Sequence, residues 1–244
     1  MKLTVDSWCS WEAGENQLPV CTHYSLGETI QTRLDVPDLS NVPALQRRRL
    51  GSLARIVFHV LDRCAETGAN EPVVFSSYMG EIQRTYGILK CIQAQEPVSP
   101  GAFSLSVHNA IAGQWSLIRD IEAPMVALSP PSNSPVPALL EAAGILQEGQ
   151  YCSVNVVFYD EPAPEFFSPF LDRFSAPVAL AMRLVGECKS ELQSTVNLTL
   201  RQHASATISR RLNYQSEMLD LLSGRKAQII VEEPQCCWQL GVTA

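Results

Sequence analysis

Residues 99–149 read SPGAFSLSVHNAIAGQWSLIRDIEAPMVALSPPSNSPVPALLEAAGILQEG, and four patterns in succession decide the fold. A buried amphipathic helix comes first, then a buried strand ending at Leu128, a tight polar turn over Pro130 to Ser134, and a second helix. The turn therefore lies where a strand hands over to a helix N-terminus. Such a terminus offers unpaired backbone N–H groups and the positive end of the helix dipole, which lower a thiol's pKa or hold an oxyanion. The turn itself, Ser129-Pro130-Pro131-Ser132-Asn133-Ser134-Pro135, contains no cysteine.

This stretch resembles the N-terminal half of a β-ketoacyl synthase of the thiolase-like fold. The carrying residues are Val107-His108-Asn109-Ala110-Ile111-Ala112-Gly113, which look like the family's helix ahead of the turn that bears the condensing cysteine. Counted without a gap, that turn falls on Ser129 to Ser132, so the resemblance places Ser132 in the nucleophile's position. Upstream, Pro43 to Arg55 resembles the family's first long helix and Val73-Val74-Phe75-Ser76-Ser77 its next strand. The likeness can be followed over about residues 40–160. It implies one α/β domain over residues 1–244, a thiolase-like half-fold with a mainly parallel mixed sheet flanked by helices.

Composition agrees with a globular protein. The chain has 244 residues, 46% hydrophobic and 18% charged, enough for one sizeable core. A formal charge of −7 speaks against nucleic-acid binding, which rests on phosphate neutralisation. The opening Met1-Lys2-Leu3-Thr4-Val5-Asp6 lacks a signal-peptide core and no apolar run is long enough to span a bilayer, so a cytoplasmic location is expected. Eight cysteines occur with no C-x-x-C pair, which favours reduced, mostly buried thiols over disulfides or zinc. Neither a metal nor a cofactor is expected.

Along the chain, Leu3 to Trp11 reads as an opening strand. From Ala44 to Thr67, Leu50, Leu53, Ala54, Val57, Val60, Leu61 and Cys64 define the buried face of one helix ended by Gly68. Arg48, Ser52, Arg55, His59, Asp62 and Glu66 form its polar row, which makes His59 a solvated histidine. Val73 to Phe75 is a short strand, and Glu81 to Gln95 a helix whose inner face is Ile82, Tyr86, Leu89 and Ile92. Residues 152–159 and 176–185 read as strands, and the Pro- and Phe-rich stretch 160–172 as a lid or interface loop. Thr207 to Leu222 is a helix, and residues 228–231 with 236–238 a closing hairpin.

The chemistry of a ketosynthase is missing. Condensation needs two histidines, or a histidine and an asparagine, to stabilise enolate and thioester oxyanions, with a supporting lysine. No His-Gly-Thr or Gly-His pattern occurs, and His203, in Arg201-Gln202-His203-Ala204, matches neither motif. Ser132 lacks the Gly-x-Ser-x-Gly setting of a nucleophile elbow. Ser134 as N-cap and Pro135 at the first helical position explain the turn by helix initiation alone.

Loss of the nucleophile on such a scaffold resembles the chain-length factors of type II polyketide systems, and the short form is similar to small synthase-like proteins of aryl polyene pathways. The resemblance implies a non-catalytic subunit that forms a heterodimer with a full-length ketosynthase and works on chains held by an acyl carrier protein. By the same analogy Phe103, Leu105, Val107, His108 and Ile111 are interface or tunnel residues. The run Arg47-Arg48-Arg49 is a docking candidate for the acidic carrier protein, although a simple solvated helix end is the commoner origin of such a run. The alternative is a stand-alone serine acyltransferase or thioesterase using Ser132 with His108 or His203.

Overall fold

The computed structural model describes residues 1–13, 19–130, 133–167, 176–186, 196–204, 214–233 and 235–243. In chain order the elements are β1 (Lys2–Ala13), β2 (Pro19–Ser25), β3 (Glu28–Arg33), α1 (Ala44–Arg47), α2 (Ser52–Cys64), β4 (Val73–Ser76) and α3 (Ile82–Gln93). There follow α4 (Pro100–Ser104), α5 (Ala110–Arg119), β5 (Met125–Leu128), α6 (Val136–Gln147), β6 (Ser153–Asp160), β7 (Val178–Val185), β8 (Val196–Ala204), α7 (Tyr214–Leu222), β9 (Gln228–Glu232) and β10 (Cys236–Thr243). All the strands belong to one mixed sheet in the order β5-β4-β6-β7-β1-β8-β10-β9, with the β2–β3 hairpin attached to β1.

The strands from β4 to β7 alternate with two buried faces. Val74, Val154, Val156, Phe158, Leu180, Met182 and Leu184 point to one side, where α6 and α7 cover them. Val73, Phe75, Val157, Tyr159, Ala179 and Ala181 point to the other, under α2 and α5. Successive strand residues face opposite sides, so a strand apolar at every position needs a helix layer on each face. The α/β architecture follows directly from this.

The parallel part of the sheet is smaller than the strand–helix alternation suggests. Among the described residues only β4 with β5 and β4 with β6 run parallel, while β6–β7, β7–β1, β1–β8 and the outer hairpins are antiparallel. Crossover helices join β4, β5 and β6, as parallel neighbours require, and the later strands pair antiparallel. The closing hairpin of β9 and β10 is present, and β10 also pairs with β8.

Three local expectations need correction. The helix over 44–67 is two helices, because Gly51 adopts an extended conformation (ψ 169°) and serves as the N-cap of α2. A Cβ at Gly51 would stand 2.9 Å from Arg84 Nη2, so the break is packed against α3. His59 is fully buried rather than solvated. The loop over residues 34–43 folds across the polar row of α2, and Asp38 N donates to His59 Nδ1 at 2.9 Å. Asp62 on the same row pairs with Arg119 of α5. Finally, α3 buries none of its side chains, and Leu89 and Ile92 are 51% and 59% exposed. Of its apolar stripe, Leu89 and Ile92 face outward while Ile82 and Tyr86 are half-buried.

Beneath β4, β6 and β7 lies a polar core. Arg183 Nε donates to both carboxylate oxygens of Glu71, at 3.2 and 3.1 Å, and Arg183 Nη1 to Asp6 at 2.8 Å. Asp6 sits where the β1–β7 register slips between Val5 and Ser7, so the irregularity delivers its carboxylate to the arginine.

Candidate functional site at the strand ends

The C-terminal ends of β4, β5 and β6 converge on the N-terminus of α6, where open α/β sheets place their sites. Asp160 closes β6 and is fully buried. Its carboxylate accepts from Ser77 Oγ at 2.9 Å, Met79 N at 3.1 Å, Tyr78 N at 3.3 Å and Gln215 Nε2 of α7 at 3.4 Å. Burial pushes its pKa up to about 6, against the lowering effect of these donors. The next residue, Glu161, is pushed up to about 7 by burial and by the neighbouring Glu81 carboxylate.

The turn after β4 wraps this carboxylate. Gly80 N donates to Ser77 Oγ at 2.7 Å, and Gly80 takes φ +56°, a conformation that glycine reaches without strain. His108 bridges that turn to β5, with Nε2 2.9 Å from the carbonyl oxygen of Leu128. A carbonyl can only accept, so Nε2 carries the proton. Ser129 Oγ donates to Tyr78 O at 3.1 Å. His108 thus has its donor committed to a backbone carbonyl, as a structural histidine does.

Ser132 lies outside the described residues. Its neighbour Asn133 adopts φ +55°, and Ser134 is fully buried. Ser134 Oγ accepts from Val136 N at 3.3 Å and donates to Glu233 at 2.7 Å. Glu233 in turn accepts from Trp238 Nε1 at 3.2 Å. Ser134 performs the predicted capping from one position earlier, since Pro135 is the cap residue and Val136 the first helical one. The link to Glu233 ties α6 to the β9–β10 hairpin, a contact with no signal in the sequence.

The remaining sequence candidates separate into three groups. Phe103 is 61% exposed, Val107 is exposed and Leu105 half-buried, on the surface of the segment that Thr85 Oγ1 of α3 joins at the Ser106 carbonyl (3.3 Å). Ile111 is not on that surface: it is buried in the core with Phe58 and Trp115, because α5 turns its Ala110, Ile111, Ala112 and Trp115 face inward. Arg48 and Arg49 are exposed at the end of α1, while Arg47 is half-buried and its carbonyl accepts from Arg55 Nη2 at 3.0 Å. His203 is exposed on β8, with Nε2 3.2 Å from Gln239 Oε1, and β8 is separated from β5 by four intervening strands. His203 therefore lies away from the end of β5 where His108 is held. Among the described residues no group of three or more His, Cys, Asp or Glu side chains is placed to hold a metal ion.

Sequence reading missed the aromatic group beside α3. Tyr86 stacks on Phe166 at 6.1 Å between ring centres and meets Phe167 edge-on at 5.9 Å. The Pro- and Phe-rich composition after β6 was its only signal.

The model of the β-ketoacyl synthase N-terminal domain matches residues 22–240. This chain belongs to that family. The match extends on both sides of the 40–160 core that carries the sequence resemblance. Among solved structures, the β-ketoacyl synthase-like chain aligns over 99% of its length with 99% of a chain in the complex of the ketosynthase ApeO with its chain length factor ApeC from Xenorhabdus doucetiae, at TM-score 0.71 and 20% identity. It aligns over 84% of its length with 68% of a chain of the ishigamide ketosynthase/chain length factor, at TM-score 0.58 and 13% identity. A type II polyketide synthase acyl-carrier protein in complex with its ketosynthase gives 84%, 70%, 0.57 and 13% for the same quantities. At these identities the likeness is one of fold, and the fold is thiolase-like. No curated protein sequence gives a match. Among the described residues no helix is long and apolar enough to cross a membrane.

Proposed function

We propose that this chain is a non-catalytic, chain-length-factor-like subunit that pairs with an active ketosynthase in carrier-protein-dependent polyketide or aryl polyene chain elongation. The observation that carries the reading is the end-to-end correspondence with a chain of a ketosynthase–chain length factor complex, joined to a nucleophile turn that contains no cysteine. The surface chemistry supports it. β5 is a sheet edge, hydrogen bonded to β4 alone among the described residues, and its residues Met125 to Leu128 are apolar and only half-buried. Such an edge invites strand addition. The exposed Leu89, Ile92, Phe103 and Val107 supply apolar area for a partner to cover.

In this reading Phe103, Leu105 and Val107 meet the ketosynthase and shape its acyl tunnel, His108 holds the turn behind them, and Arg48 and Arg49 steer the carrier protein. Ser132 is chemically silent.

Co-expression with a ketosynthase that carries its own cysteine, followed by size-exclusion chromatography and elongation from malonyl-loaded carrier protein, tests the proposal. A one-to-one complex whose activity survives Ser132→Ala supports it. Acyl transfer or hydrolysis by the isolated chain, abolished by Ser132→Ala, overturns it in favour of the serine enzyme. A complex whose product length ignores bulk changes at Phe103 and Val107 reduces the role to structural support.

A further inference from the structure

Cys9 on β1 and Cys21 on β2 belong to none of the machinery above, yet they form a built site. The β1–β2 register pairs Cys9 with His23 and Trp11 with Cys21, so the two cysteines stand on a diagonal of one sheet face. Their sulfurs are 3.5 Å apart and both residues are buried. His59 Nε2 lies 3.4 Å from Cys21 Sγ.

The proton arrangement follows from the other side of the ring. His59 Nδ1 faces two donors, Arg63 Nη1 at 3.0 Å and the Asp38 N–H at 2.9 Å, which are nearer than the Asp38 carbonyl oxygen at 3.2 Å. A guanidinium has no acceptor capacity, so Nδ1 is the bare nitrogen and Nε2 carries the hydrogen. That hydrogen points at Cys21. Cys21 Sγ therefore receives the imidazole N–H and, from the other side, the Cys9 S–H. The Cys9 contact, His59 and the Arg63 charge hold the Cys21 thiol well below the usual range, while the Cys21 contact and burial push Cys9 up. One sulfur is set up as nucleophile and its neighbour keeps its proton.

We propose that Cys21 and Cys9 are a redox-active dithiol that a small hydroperoxide closes to a disulfide, with Cys21 as the attacking sulfur and Cys9 as the resolving one. Cys21 thiolate attacks one peroxide oxygen, the O–O bond breaks, and the departing hydroxide takes a proton to become water, leaving Cys21 as a sulfenic acid. Cys9 sulfur then attacks Cys21 sulfur, the S–O bond breaks, and the hydroxyl leaves with the Cys9 proton as a second water. Two thiols are oxidised by two electrons and the O–O bond is reduced by two. The sulfurs must approach from 3.5 Å to about 2.05 Å, a movement within reach of β2, whose strand partners among the described residues are β1 and its own hairpin strand β3. The loop over residues 34–43 lies against this site, since Asp38 N donates to His59 Nδ1 and the Asp38 carboxylate pairs with Arg63, and its local opening is the route by which a small peroxide enters.

The test treats the reduced full-length chain with hydrogen peroxide under native conditions, blocks remaining thiols in denaturant and maps the peptides. A Cys9–Cys21 linked peptide, formed while the exposed Cys152 is still alkylated, is the expected result. His59→Asn, with its fold checked by circular dichroism, shifts the midpoint of the pH–rate profile of closure upward, because the Cys21 thiolate loses the imidazole N–H. Recovery of both cysteines as free thiols at peroxide doses that oxidise Cys152 overturns the proposal. So does a link from Cys21 to the nearby Cys64, or a link that forms only in denaturant. The wild-type mapping stands on its own if the His59 variant fails to fold.

Discussion

Gly80 and His108 fit together because Gly80 has no side chain: a Cβ there would stand 2.8 Å from His108 Nδ1. The same glycine has φ +56°, so alanine meets both a steric and a backbone penalty. Gly80→Ala is expected to cost about 1–3 kcal/mol. For a chain of this size that lowers Tm by about 2–4 °C per kcal/mol, read by thermal unfolding. His108→Ala removes the clash but not the backbone strain, so the double variant should lose less stability than the two single changes added together.

The Glu71–Arg183 pair predicts a larger effect. Burial pushes the Glu71 carboxyl up, but hydrogen bonds from Arg183, Ser153 and Asn155 outweigh it and hold the group below the usual carboxylate range. Its contribution is present above the ordinary glutamate pKa and disappears as pH falls through the lowered folded value. Glu71→Ala leaves the buried guanidinium to Asp6 and Glu66 and is expected to cost about 3 kcal/mol at pH 7. Urea unfolding at pH 7 and pH 3 checks this, because the gap between wild type and variant should narrow at the lower pH.

Glu161 has the opposite sign. Its pKa is pushed up to about 7 by burial and Glu81, so the folded chain holds more protons than the unfolded one between about pH 4.5 and 7. Stability from this group is present at low pH and lost as pH rises through that window. Glu161→Gln removes the loss, and the variant should exceed wild type by about 1–2 kcal/mol at pH 8 with little difference at pH 4.5. Chemical denaturation across that range reads the slope directly.

The strands, the helix that follows β5 and the family were legible because their signals are local: apolar runs with helical or strand periodicity, and a contiguous motif around His108. What the pattern missed depends on distant partners. His59 stands on a polar helical row, and only the loop carrying Asp38, folded over it, turns that row into core. The α3 stripe of Ile82, Tyr86, Leu89 and Ile92 has ordinary amphipathic spacing, but periodicity does not say whether an apolar face meets its own core or another chain. Ile111 shows the converse, since a residue inside a recognisable motif is spent on packing against Phe58 and Trp115. The Cys9–Cys21 proximity depends on the β1–β2 register, which neither cysteine's surroundings in the sequence reveal.

Arg48 and Arg49 yield a prediction about rate and salt. Both are exposed, so charge reversal should leave Tm unchanged. If they steer an acidic carrier protein, Arg48→Glu with Arg49→Glu should lower the association rate about tenfold at low salt and converge with wild type as ionic strength rises. Stopped-flow binding over a salt series distinguishes this from a solvated helix end, for which the two curves coincide throughout.

The strongest discrimination comes from comparing Phe103 with Ile111. Eight residues apart in the sequence, they fall on opposite sides of the protein surface: Phe103 is 61% exposed and Ile111 lies in the core. Phe103→Asp removes no internal contact of the core, so the isolated chain should keep its Tm. If the outward surface of Phe103, Val107, Leu89 and Ile92 is where a ketosynthase docks, the same change buries a carboxylate in an apolar contact and should raise Kd for the complex at least about tenfold. Ile111→Ala should do the reverse, costing about 2–5 kcal/mol of folding stability through the cavity it leaves, with affinity for the partner unchanged in the fraction that remains folded. Calorimetric titration paired with thermal unfolding separates the two. Equal affinities for wild type and Phe103→Asp would remove this surface from the interface and leave the β5 edge to account for pairing.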